Sequence, residues 1–290
     1  MSTFLKTISE KICFGFFILT LAIIPSVLKT QTVKAAIIDT VFAKDATTLP
    51  ASLDLDARKK LLTKVLNTTL SEIDGLKIKL SSLDLDDNWN KINDGFLNDL
   101  ADFKSYNESF NKKINADNIT LDEIKNLAKE MIDWREKNYT PKLKEINNMT
   151  FIFDEESLLK ITQGRFDKIS SDIKKLSKQN YINTSKLKTL LPKAEKSLKN
   201  SKDAQGEAKE LFFKSFEYLI PTTDTNASST NGIATSTVSE INNETTDDTK
   251  QETPVEIQDS IRTLLKNSLT EIKNTYDIFF QMNNEIKKYL

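Results

Sequence analysis

The chain has 290 residues but only six glycines and six prolines. That is too few tight-turn residues for sandwiches, barrels or α/β folds, and it favours long helices with few connections. Its 41 basic and 42 acidic side chains leave a formal net charge of -1, which argues against nucleic acid as a partner because phosphate neutralisation supplies most of that affinity. Histidine is absent and the single cysteine, Cys13, lies in an apolar run, so disulfides, thiolate metal sites, the common zinc ligand sets and Ser-His or Cys-His nucleophile pairs are excluded.

At the N-terminus, Lys6 and Lys11 precede an uncharged apolar run over residues 12–28, with Pro25 near its end. This is the layout of an export signal. A helix of that length reaches about 25 Å, short of the roughly 30 Å of hydrocarbon in a bilayer. Small residues suited to cleavage follow at Val33-Lys34-Ala35 and Val41-Phe42-Ala43, whereas Lys29 and Lys34 fit an uncleaved anchor. Residues 1–35 therefore read as a signal peptide or N-terminal membrane anchor and 36–51 as a leader segment. The protein is expected outside the cytoplasm, secreted or held to the membrane by residues 12–28.

Residues 52–220 carry the spacing of a helical bundle. Leu62, Val65, Leu66, Ile73, Leu76, Leu80 and Leu83 recur at three and four, with Gly75 inside the period. Asp84, Asp86 and Asn88 have the opening spacing of a calcium loop, but Trp89 replaces the required glycine and Gly95 the closing glutamate, so these residues are expected to cap the next helix. That helix has a stripe of Ile92, Phe96, Leu100, Phe103, Phe110 and Ile114. Thr120 and Glu123 form a capping box that starts a third helix, which meets Pro141 and continues as one kinked helix or two consecutive ones. Asp154, Glu155 and Glu156 read as a solvated first turn complementing a helix dipole. The stripe resumes through Leu159, Phe166, Ile169 and Ile173. Asn183, Thr184 and Ser185 cap a further helix reaching Tyr218, with Pro192 marking a kink or a later start.

Residues 221–254 change to Ser, Thr, Asn and Asp and are expected to form a disordered linker. Its carboxylates, Asp224, Glu240, Glu244, Asp247, Asp248 and Glu252, suit it to shielding a basic face in cis. Residues 255–290 form a last amphipathic helix. The linker reaches about 33 Å and the helix about 50 Å, so an antiparallel return that closes the bundle is the easier path. The expected fold is all-α, an elongated bundle of about five long amphipathic helices with coiled-coil-like packing.

Seven Asn-x-Ser/Thr triplets, at Asn67, Asn107, Asn118, Asn148, Asn183, Asn226 and Asn243, are what chance provides in a chain this rich in Asn, Ser and Thr. Ser-x-x-Lys at Ser157, Ser171 and Ser185 lacks the companion motifs of serine acyl transfer. Catalytic, cofactor-binding and metal-binding residues are expected to be none, and the protein is not expected to be an enzyme.

Two stretches stand out. Lys186, Lys188, Lys193, Lys196, Lys199 and Lys202, interrupted by Glu195 alone, suit an anionic surface. Phe213, Phe216 and Phe280 belong to aromatic runs that read either as a partner-docking patch or as core. The expected function is a non-enzymatic cell-envelope or secreted helical protein with a structural or interaction role. Its partner would be an unidentified protein, an envelope component or an anionic membrane surface. A membrane-surface-binding or pore-forming helical protein and a periplasmic ligand-binding module are the alternatives.

Overall fold

The computed structural model describes residues 54–179, 183–219 and 253–289. The apolar run at 12–28, both cleavage triplets, the leader and nearly all of the 221–254 segment lie outside the described residues. The protein is an all-α helical bundle. Its elements are α1 (Leu55–Ser81), α2 (Asp87–Ile114), α3 (Leu121–Trp134), a π-helical turn (Arg135–Tyr139), α4 (Thr140–Gln179), α5 (Ser185–Ser215), a 3-10 turn (Glu217–Leu219) and α6 (Pro254–Lys287). Among the described residues there is no strand, and no helix is long and apolar enough to cross a membrane.

Local chemistry sets the helix starts. Asp86 accepts hydrogen bonds from the backbone amides of Asn88 and Trp89, both at 3.0 Å, so the aspartate-rich stretch caps α2. Thr120 and Glu123 satisfy each other's amides at the start of α3. A second such box, Thr253 with Glu256, opens α6 with Pro254 at the first position, where a missing amide costs nothing.

Pro141 resolves into a widened turn rather than a break. Its ring carries no amide hydrogen for the carbonyl of Lys137 and crowds it, and the backbone relieves both through the π-helical turn just upstream. Residues 121–179 consequently form one continuous rod about 88 Å long at about 1.5 Å per residue. Pro192 lies inside α5, which begins seven residues earlier at Ser185.

The rod is shared by two three-helix bundles. In the first, α2 runs antiparallel to α1, with Lys104 paired to Asp74 at 3.3 Å. It also runs antiparallel to the rod, with Lys113 on Glu130 at 3.1 Å and Lys142 near Asp99 at 3.4 Å. The second is built from α4, α5 and α6. Ser201 meets Ser268 at 2.8 Å and Lys186 meets Glu285 at 3.0 Å, which fixes α6 antiparallel to α5. Lys144 pairs with Asp259, and Arg165 bonds Tyr276 at 2.9 Å, which fixes α6 parallel to α4.

Three hydrophobic clusters follow one another along the rod. The outer one of the first bundle contains Leu66, Phe110, Ile124 and Met131. The central cluster draws on both bundles, from Ile73 and Leu80 of α1 and Trp89 and Phe96 of α2 to Ile146 and Ile152 of α4, Phe212 of α5 and Ile261 of α6. The outer one of the second bundle contains Leu159, Ile169, Leu187, Ala194, Ile272 and Phe279. Buried residues of α6 recur at alternating intervals of three and four from Gln258 through Ile261, Leu265, Ser268, Ile272, Thr275, Phe279 and Met282.

Candidate functional site

The outer face of α5 collects the unusual charge. Leu187, Leu190, Ala194, Leu198, Ser201 and Gln205 turn one stripe of the helix toward α4 and α6. The intervening lysines 186, 188, 193, 196, 199 and 202 are all exposed. Lys186 is held by Glu285, whose carboxyl lies below the usual range because Lys288 and Lys186 both donate to it. Lys202 donates to Gln163 at 2.6 Å. Lys188, Lys193, Lys196 and Lys199 enter no ion pair with another described residue.

From Lys193 to Lys202 the lysines recur every third residue. Like charges at this spacing cost a helix a few tenths of a kcal/mol per pair. Among the described residues no ion pair offsets that local cost at Lys193, Lys196 or Lys199. The setting amplifies it: residues 160–202, which run down the distal half of α4 and back along α5, carry twelve lysines and arginines against Asp167, Asp172 and Glu195. The whole chain carries a net charge of -1, so the distal end of the second bundle is basic against an acidic remainder.

The aromatic residues sort differently. Phe216 is 4% exposed and packs edge-on against Phe96 at 5.3 Å, while Phe213 lies tilted on Trp89 at 5.4 Å. Phe216 belongs to the central cluster and Phe213 packs partly buried against it, so of the two readings, docking patch or core, these two residues take the core one: the start of α2 covers the end of α5. Phe280, at 46% exposure, is the one of the three that faces solvent.

The acidic trio Asp154-Glu155-Glu156 is not a solvated first turn either, because α4 begins fourteen residues earlier at Thr140. Asp154 pairs with Lys79 at 2.7 Å and Glu156 with Lys209 at 2.7 Å. The Lys209 hydrogen bond holds the Glu156 carboxyl below the usual range. Glu155, between them, points inward and is 2% exposed. Burial raises its carboxyl to about 8. Sequence spacing carries a signal for this inward placement, since Asn148, Glu155 and Thr162 are seven apart and all buried on one face of α4.

The two arginines beside aromatic residues anchor polar contacts inside the bundles. Arg135 donates to Thr69 at 2.6 Å and covers the Tyr139 ring, and the Tyr139 hydroxyl donates to Glu72 at 2.7 Å. Arg165 covers Tyr276 while bonding its hydroxyl. Of the Asn-x-Ser/Thr triplets, Asn107 and Asn148 are buried at 2% and 0% exposure and unavailable to a glycan. Asn148 donates instead to the Gln258 carbonyl at 3.0 Å and side chain at 2.9 Å. Among the described residues, no group of three Asp, Glu, His or Cys side chains is arranged to hold a metal ion. The sequence matches no protein-family model and has no match among curated proteins or solved structures.

Proposed function

We propose that this is an exported, non-enzymatic helical protein that docks on anionic phospholipid headgroups through the outer face of α5. The observation that carries the reading is the row of Lys188, Lys193, Lys196 and Lys199, exposed and without an ion-pair partner among the described residues, on a basic end. Export rests on the layout of Lys6, Lys11 and the apolar run at 12–28. The non-enzymatic reading rests on the absence of histidine and on a lone cysteine confined to that run.

A lysine near an anionic leaflet contributes about 1 kcal/mol, so four give about 4 kcal/mol, or roughly a thousandfold in partitioning. Such an attraction is screened as the Debye length falls from about 10 Å at 0.1 M salt to about 3 Å at 1 M. Sedimentation with phosphatidylglycerol-containing vesicles tests it. Binding at low salt that is lost at high salt and absent on pure phosphatidylcholine supports the proposal. Equal binding to both lipids, or none at low salt, rules it out.

A further inference from the structure

The second bundle has a polar layer across its core that the surface reading does not use. Ser201 of α5 and Ser268 of α6 share a hydrogen bond at 2.8 Å, and both are fully buried. Gln205 of α5 donates to the Ile152 carbonyl of α4 at 3.2 Å. Glu155 lies in this layer, and the Ser268 hydroxyl is the polar group that acts on its carboxyl. That hydroxyl is engaged with Ser201, and neither Glu155 oxygen meets a hydrogen-bond partner among the described residues.

The charged groups around Glu155 are turned elsewhere. On α4, Asp154 is held by Lys79 of α1, and Glu156 by Lys160 and Lys209. On α5, Lys202 is bonded to Gln163, Lys209 to Glu156, and Asp203 and Glu207 are exposed. On α6, Arg262 stacks over Phe151, Lys266 is exposed, and Glu271 is half-buried on the turn beyond Ser268. An ionised Glu155 would be an uncompensated charge between three helices, and an isolated buried carboxylate is among the most costly groups a core can hold.

We propose that Glu155 is a buried proton site that governs the seating of α6: protonated, the carboxyl lets α6 close on α4 and α5, and ionised, it loosens that contact at Ser268. The carboxyl holds its proton to about pH 8 when folded, against 4.5 in the open chain. The native state therefore binds the extra proton between these values, and stability falls as pH rises through that window, by up to about tenfold in the unfolding constant per pH unit. The fall levels off above the folded value. The paired carboxylates Glu156 and Glu285 give the opposite slope and act below 4.5, so their effect falls outside the Glu155 window, and a variant that changes Glu155 alone isolates the upper one.

The test uses the full chain and E155Q, which keeps the shape and removes the titration. Amide hydrogen exchange, corrected for intrinsic rates, is measured over α6 between pH 6 and 9. Loss of protection around Ser268 by tenfold or more in wild type, with a flat profile in E155Q, supports the proton site. Parallel profiles in the two proteins overturn it. Should E155Q fail to fold, the carbon-13 titration of the wild-type Glu155 carboxyl decides: a midpoint between 7 and 9 supports the proposal, and one near 4.5 refutes it.

Discussion

Replacing Phe212 by alanine probes the joint between the two bundles. The ring is fully buried, stacks on Trp89 at 5.7 Å with an interplanar angle of 16°, and meets Phe96 at 6.4 Å and Phe216 at 4.8 Å. A buried Phe→Ala change costs about 3–5 kcal/mol from lost transfer energy and the remaining cavity. The tight ring of partners, drawn from α2 and the end of α5, leaves little room to collapse, which places the expected loss in the upper half of that range. Against a typical total of about 5–15 kcal/mol, this is a large fraction. With a slope of about 1–3 kcal/mol per molar urea, the midpoint should fall by at least about 1 M. Urea unfolding followed by tryptophan emission is the assay, since Trp89 sits on the missing ring. A loss under about 1 kcal/mol with unshifted Trp89 emission would show that the central cluster does not couple the bundles.

Other positions give independent checks. Gly75, Gly164 and Gly206 are helical; an added methyl meets nothing within 4 Å at any of them, so each Gly→Ala change should stabilise by about 0.5–1 kcal/mol in urea melts. Tyr139→Phe removes the donor to Glu72 and should cost about 1.5–3 kcal/mol with helicity by circular dichroism unchanged. Thr253→Ala breaks the capping box of α6 and should cost about 1 kcal/mol, seen first as faster amide exchange in its opening turn.

The all-α fold was legible because helices announce themselves locally. The Thr120 box, the cap at Asp86 and the spacing of Leu62 through Leu80 each need only neighbouring residues, and each is found in the structure. Partnership was less legible. Phe213 and Phe216 lie on more than one face of α5, and nothing local shows that the start of α2 covers the second face; that contact joins residues more than a hundred positions apart. Glu155 fails for a related reason. In sequence it sits in a run of three carboxylates that resembles a helix start, and only the placement of Thr140 shows it to be mid-helix and inward. Pro141 announced a disturbance, but whether a helix breaks or widens there depends on the packing of Arg135 and Tyr139 against α1.

The surface reading is tested most directly by neutralising the row on α5. The full chain with Lys188, Lys193, Lys196 and Lys199 changed to glutamine is compared with one in which four exposed lysines of α1 and α2, Lys60, Lys64, Lys91 and Lys112, are changed in the same way. Both variants lose the same charge. Binding to phosphatidylglycerol vesicles at low salt should fall by roughly a thousandfold for the α5 variant and only slightly for the control. Equal losses, or an α5 variant that binds like wild type, would contradict a docking role for that face.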